Sequence, residues 1–496
     1  MSDSRTNTIK LVVAGVIALA ALALLFGPRF VEPTHPKEGI PYTQLPAAHP
    51  DHVAPGGPQR ALGIFVLCLG LWVTDLIPLA ATSLLAIALL PLLGVMSHNQ
   101  AFAYFGNSAV FFILGVFILA AAMIDTGLSK RLTLKFLHWF DRTPGRLVGG
   151  VLVCGSFFSL WMPEHAVAAM MFPIVLEIAE ALNLRRPGSP YARSLFLALA
   201  WGPVVGGVGT YLGGARAVLA VEILRKFHPD AATPSFLAYA ATAMPLVIIL
   251  TAAAFYIITV GTKREIDSIA PATRMLTDRV RLLGPLSGRE RRLAVLAILT
   301  VLAWIIVPQV SGPLLGYRVE LGVIAVVSAV MVFVLRIVKW NSIQDYVNWG
   351  VLVMYGGAVA LGAALADTHA MDWLATQLVP YLAANKLALL TVVAIVAVIF
   401  TEGMSNAAVV AMLLPLGLGL CGTLHVSPMA MMYMVTLPAG LGFCLPMGAP
   451  AIAIAFSSGY YGVGQVVARG MLMNILAVLV LVLCAWLYWP LIGLRL

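Results

Sequence analysis

Charge is what this chain has least of. Asp, Glu, Lys and Arg together make up 10% of its 496 residues, against 61% hydrophobic ones. A soluble domain carries roughly 25% charged residues, so this chain cannot clothe a water-facing surface of its size. Cysteine is also rare. The five present (Cys68, Cys154, Cys421, Cys444 and Cys484) all fall inside apolar segments, without the spacing of a metal site or disulfide framework. There is no Walker motif, which argues against ATP-driven work by this chain. There is no HExxH pair and no nucleophile–base set, which argues against an enzyme. Alternating polar and apolar strands are missing too. In their place stand continuous apolar runs of about 17–25 residues, the length that spans a bilayer as helix. Lipid admits only helices or closed barrels, so the expected class is an all-α polytopic membrane protein.

Eleven transmembrane spans are expected, near 11–27, 61–77, 79–96, 109–127, 194–220, 236–259, 293–309, 320–337, 348–366, 429–456 and 470–491. The first is long for a signal peptide and has no clear small-residue cleavage site. Two further apolar stretches, 147–182 and 386–421, are interrupted by WMPEHA (161–166) and TEGMSNA (401–407). Each arm is about 14–17 residues, roughly 21–26 Å as helix, short of a bilayer core of about 30 Å. These stretches read as re-entrant hairpins. With the N-terminus in the cytoplasm, the segments on that side hold 21 Lys and Arg and the outer ones hold eight, as the positive-inside rule requires. Segments 130–146 and 185–193, around the first hairpin, are basic; 367–385 and 422–428, around the second, have no Lys or Arg. The hairpins therefore open to opposite faces. This topology also explains the net charge of +9, with no nucleic-acid partner.

An internal repeat follows. LGVFILAAAMIDTG (114–127) aligns with GGAVALGAALADTH (356–369), and PEHAVAAMMFP (163–173) with SNAAVVAMLLP (405–415), both at an offset of 242 residues. A Gly-rich broken span, WGPVVGGVGTYLGGARA (201–217), answers GLGFCLPMGAPA (440–451). The chain then divides into an N-terminal helix with a Pro-rich outer loop (1–58), a first inverted repeat (59–262), a cytoplasmic linker (263–292) and a second repeat (293–496). Inverted repeats with discontinuous helices are how secondary transporters place substrate near the midplane.

These segments resemble the divalent anion:sodium symporter family, the transporters of dicarboxylates, citrate and sulfate. The resemblance runs from about residue 60 to the end. It rests on WVTDLIPLAATSLL (72–85), ILAAAMIDTGLSKR, LGPLSGRER (283–291), TEGMSNAAVVAMLLP (401–415) and AIAFSSGYY (453–461). It implies a homodimer in which a mobile transport domain rises and falls against a scaffold, with substrate between the hairpin tips and sodium beside each. In that family each tip reads Ser-Asn-Thr and each broken helix close to Thr-Pro-Pro-Asn. Here Ser405 and Asn406 are retained and Ala407 replaces Thr, while Pro163, Glu164 and His165 stand at the first tip. The broken-helix positions hold Gly214, Ala215, Arg216 and Ala217, then Ala449, Pro450, Ala451 and Ile452. The resemblance thus implies substrate contacts from Glu164, His165, Arg216, Ser405, Asn406, Ala407 and Pro450. It implies ion contacts from Ser159, Glu164, Gly213, Thr401, Asn406 and Gly448, a carboxylate at 164 replacing the family's amide.

Three ionisable groups at the membrane centre require some offsetting interaction, since one charge there costs about 2.5–3.5 kcal/mol on insertion scales. A Glu164–Arg216 ion pair bracing the site is one arrangement, with His165 bonded to backbone. A second is a cationic pocket of Arg216 and protonated His165 for a carboxylate or oxyanion, which suits the planar guanidinium. In a third, Glu164 or His165 takes up a proton in place of the first sodium, because burial favours a neutral carboxyl and histidine titrates near neutrality. Asp75, Asp125 and Asp367 read as helix caps, and Glu402 as structural. His35, His49 and His52 are too spread for a metal site, and 130–146 reads as an amphipathic interfacial helix. The expected protein is a multi-pass inner-membrane secondary transporter of small anions, di- or tricarboxylates or an oxyanion such as sulfate. It is coupled to sodium or protons and uses no organic cofactor. The rival expectation is a proton-coupled exchanger or exporter of the wider ion-transporter superfamily, carrying a different solute.

Overall fold

The computed structural model describes residues 15–34, 38, 40–45, 53–74, 76–260, 265–378 and 385–496. Asp75, His35, His49 and His52 lie outside the described residues. Helix α1 (Gly15–Phe26) precedes the first half. That half holds α2 (Gly57–Thr74), α3 (Leu79–Leu92), α4 (His98–Ala103), α5 (Ser108–Asp125), α6 (Leu128–His138), α7 (Pro144–Ser159) and α8 (Glu164–Ala181). It closes with α9 (Pro190–Gly207), α10 (Arg216–Phe227) and α11 (Phe236–Thr259). After the short α12 (Ala270–Leu282) come α13 (Gly288–Leu315), α14 (Leu321–Val334), α15 (Trp340–Ile343), α16 (Trp349–Asp367) and α17 (Ala370–Leu378). The chain ends with α18 (Lys386–Thr401), α19 (Asn406–Leu424), α20 (Pro428–Thr436), α21 (Pro450–Phe456) and α22 (Val467–Leu483).

The elements recur with the sequence. Both ends of α3 and α14, and both ends of α7 and α18, differ by 242 residues, as do the starts of α8 and α19. Helices α5 and α14 pack together, as do α3 and α16, so this layer is built from both halves. The second layer interlocks them differently: α10 packs on α19, and α21 on α8 and α9.

Among the described residues, seven helices are long and apolar enough to cross a membrane, and four shorter apolar ones accompany them. Their outward faces carry exposed Leu, Ile, Val and Phe, as on α13 and α22, which lipid accepts and water does not. Two of the expected spans are broken, where the sequence reads Gly-rich broken spans at 201–217 and 440–451. Residues 194–220 form α9 and α10 around a break at 208–215, and 429–456 form α20 and α21 around an irregular stretch. The first break lets Gly206 and Gly213 press against the carbonyls of Ser156 and Ser159, where any Cβ would collide. The second contains Pro438 and Pro446, each lacking the N–H that helix continuation needs, and Pro450 opens α21. Asp125 and Asp367 are the last residues of α5 and α16 rather than caps; Asn107 and Asn348 cap those helices at their starts. Asp125 pairs with Arg289 at 2.6 Å.

Candidate functional site

Helices α7 and α8 join through Leu160–Pro163, and α18 and α19 through Glu402–Ser405. Pro163 and Ser405 precede the second arms with nearly the same backbone, φ −55° and −62° at a shared ψ of 137°. Proline therefore reproduces the turn at the first tip. What it loses is the hydroxyl: Ser405 accepts from the Ala408 amide, and Pro163 caps nothing.

The two tips meet. Asn406 Nδ2 donates to Glu164 Oε1 at 3.1 Å, and Arg216 Nη1 approaches Glu164 Oε2 at 3.4 Å. The Glu164 amide donates to the Gly213 carbonyl (3.1 Å), tying the first tip to the break before α10. Glu164 and Arg216 are 5% and 3% exposed, so each charge depends on the other. The guanidinium lies against Gly214 and Gly440, where a Cβ would overlap it. Arg216 Nη2 has no partner among the described residues. The Glu164–Arg216 ion pair considered from sequence is formed. His165 instead sets its ring edge-on to Phe117, centroids 6.1 Å apart.

On the far side of Asn406, the Thr401 hydroxyl lies 2.8 Å from Asn406 Oδ1 and 2.6 Å from the Ala439 carbonyl. Those oxygens, with the Gly448 carbonyl beside Gly442, form an uncharged oxygen-rich spot of the kind hard cations prefer. The repeat-related spot surrounds Gly207. A Cβ there would stand 2.8 Å from Glu164 Oε2 and 3.2 Å from both the Gly213 carbonyl and Ser159 Oγ. Ser159 Oγ is buried and unpartnered. Both donor sets fit a sodium ion in atom type; the first differs by carrying a carboxylate already faced by Arg216.

Glu402 borders the second spot, its Oε2 3.0 Å from where a Cβ on Gly448 would stand. Its carboxylate accepts from the amides of Phe443, Cys444 and Leu445 at 2.7–3.1 Å and from Asn474 Nδ2 at 2.7 Å. It pins the irregular stretch between α20 and α21 to the second tip.

A cavity of about 480 Å³ opens between the tips. It is lined by Glu164, His165, Arg216, Ser405, Asn406, Ala407 and Pro450, with Gly213 and Gly448 at its edge. All seven residues expected at the substrate are thus brought together, while Ser159 and Thr401 lie behind the tips. Helices α8, α10 and α19 begin in this cavity, at Glu164, Arg216 and Asn406. Each helix start contributes roughly half a positive charge. Glu164 is the only carboxylate among the described lining residues. Sequence reasoning missed Trp72, Asn348 and Tyr355 in the lining. Trp72 Nε1 and Tyr355 Oη are buried donors without partners among the described residues. Trp72 stood in a quoted motif; Tyr355 sits in an apolar run that gives no sign of a site.

A family model described as the sodium:sulfate symporter transmembrane region matches residues 45–495. The chain is similar to the sodium-dependent dicarboxylate transporter SdcS of Staphylococcus saprophyticus, with 28% identity over 457 residues and 86% of each chain covered. Its fold is similar to that of the Alcanivorax borkumensis YdaH transporter, at a TM-score of 0.58 and 14% identity, covering 98% of both chains. The Neisseria gonorrhoeae protein MtrF, of a class of antimetabolite efflux pumps, gives a TM-score of 0.56 at 12% identity, covering 97% of this chain and 94% of that one.

Proposed function

Because the chain belongs to the sodium:sulfate symporter transmembrane family, we propose that it is a secondary transporter of a small di- or tricarboxylate or an inorganic oxyanion. One observation carries the choice of an anion. Three helix starts and the unpartnered donors of Trp72, Tyr355 and Arg216 belong to one cavity whose single described carboxylate is neutralised by an arginine. A cation entering there would meet positive potential, which favours an anion.

Sodium binds at the second tip, among Thr401, Asn406, Ala439 and Gly448. At the first tip the Arg216 guanidinium supplies the positive charge against Glu164, so that half works without a second mobile cation. The dicarboxylate named for the similar SdcS protein supports a carboxylate as the leading substrate. The protein works as a homodimer in an inner membrane, with its N-terminus in the cytoplasm and repeats 59–262 and 293–496 oppositely inserted. The tips enter from opposite faces, and the layer holding them moves past the α3, α5, α14 and α16 layer like an elevator.

Uptake into vesicles under separately imposed sodium and proton gradients tests this reading. Carboxylate or sulfate accumulation driven by sodium alone supports it. Accumulation driven by protons alone would move the coupling to Glu164, and accumulation of neither solute would overturn it.

A further inference from the structure

A second cavity, of about 450 Å³, lies away from the hairpin tips and shares no lining residue with the first. It is a cleft between the layers. Helix α10 and the start of α11 form one wall, and α5, α13 and the start of α14 form the other. The second wall is tight, since a Cβ on Gly322 would stand 2.6 Å from the Ser108 carbonyl oxygen. Much of the surface is hydrocarbon. Phe112 and Phe236 both pack on Trp304, with centroids 5.5 and 5.9 Å away, and Val221 and Leu321 extend the apolar lining. Small-molecule sites have this size and this mixture of apolar walls with a few polar groups.

Four charged side chains line the cleft, and their bonding does not balance. Glu222 is buried with both oxygens engaged: Oε2 accepts from Asn107 Nδ2 at 3.0 Å, and Oε1 from Arg225 Nη1 at 3.2 Å. The same Arg225 nitrogen reaches Glu320 Oε1 at 3.0 Å. Arg225 Nε and Nη2 carry no bond among the described residues, and Arg318 makes no hydrogen bond or ion pair there at all. The donors left over thus belong to two guanidiniums, against one remaining oxygen on Glu320. The starts of α11 and α14 add partial positive charge to the same cleft.

We propose that this cleft binds an amphipathic monocarboxylate, an acid with a single apolar tail. Its carboxylate takes the N–H groups of Arg318 and Arg225, whose planar forks match it, and its tail lies against Phe112, Phe236 and Leu321. A di- or tricarboxylate suits the cleft less, because its further charges would meet Glu320 and a hydrocarbon wall. The bound acid touches both walls and ties α10 to the start of α14. That it thereby holds the two layers in this arrangement rests on the elevator movement proposed above; the binding does not.

Thermal stability of the purified protein in phosphatidylcholine nanodiscs, titrated with octanoate at constant sodium, tests the site without using transport. Octanol supplies the tail without the charge, and acetate the charge without the tail. Octanoate is expected to raise the melting temperature of the wild type, and the other two are not. Arg318 is exposed, so Arg318→Gln should fold, and it is expected to need about ten-fold more octanoate for the same shift. No stabilisation of the wild type overturns the proposal, as does an equal shift in both proteins or an equal effect of octanol or acetate. A response lost in Arg216→Gln and kept in Arg318→Gln would put the acid in the central cavity and also overturn it. Should Arg318→Gln not fold, an octanoate analogue with a photoreactive tail is expected to label the wild type within 108–112, 218–236 or 308–322. Labelling confined to other segments rejects the site.

Discussion

Asn406 and Glu164 stand 242 positions apart and share a hydrogen bond of 3.1 Å. They are the same position of the repeat, so the chain brings equivalent points of its two halves into direct contact. In the second half that position keeps an amide. In the first it has become an acid, and Arg216 faces it.

Removing one member of a buried ion pair strands the other and costs about 3–5 kcal/mol, whereas removing both costs far less. Glu164→Gln and Arg216→Gln are each expected to lower the melting temperature clearly, and the double variant to recover most of the loss. Additive losses in this cycle would mean that the two side chains do not interact. Arg216→Ala is expected to weaken apparent substrate affinity at least ten-fold, about 1.4 kcal/mol. Normal affinity in a folded protein would remove Arg216 from the substrate site. Glu164→Gln also reads out coupling. If Glu164 carries a proton, pH dependence of uptake disappears in this variant.

Gly440→Ala separates site from fold. The new methyl would overlap the Arg216 guanidinium, the movable end of a long side chain, so the protein should transport poorly while losing no more stability than Arg216→Gln does. Gly206→Ala is the contrasting control. There the methyl meets the backbone of Ser156, and a melting-temperature drop should accompany any loss of transport. Wild-type uptake by Gly440→Ala would contradict the placement of Arg216.

Glu402 is expected to matter for shape. Glu402→Ala abandons three backbone amides and Asn474, each hydrogen bond to a charged group being worth about 1.5–3 kcal/mol. It should unfold or misassemble the second broken element, while Glu402→Gln retains part of the cradle and loses less. Comparable melting temperatures for Ala, Gln and wild type would refute this.

Arg225, on α10, bridges Glu222 at 3.2 Å and Glu320, just before α14, at 3.0 Å. If the tip-bearing layer moves past the other, this bridge must break in each cycle. A cleavable thiol cross-linker between Arg225→Cys and Glu320→Cys should stop uptake, and cleavage should restore it. The five native cysteines are all buried, which keeps the labelling selective. Full uptake by fully cross-linked protein would exclude the movement.

The sequence made the fold readable because apolar length and the recurring offset are properties of the chain itself. Both ends of α7 and α18 fall at that offset. The Gly- and Pro-rich runs also marked both broken spans, but not which segment the backbone leaves the helix to approach at 208–215 and 437–449, because that reason lies in the neighbour. The same holds for the cavity. Glu164, Arg216 and Asn406 could be singled out as polar residues in apolar surroundings. Tyr355 and Asn348 could not, since only the packing of α16 brings them to the tips. Asp125 looked like a cap by position, yet a carboxylate at a helix end opposes the macrodipole and is held there by Arg289.

The Asn406 side chain is a flat plate with unlike corners. Its oxygen faces Thr401 and its nitrogen faces Glu164. Turning it over would set two acceptors nose to nose at Glu164, so the plate has one permitted orientation. Whatever grips the oxygen corner thereby steadies the nitrogen corner, and news of loading on one half can reach the other through a single residue.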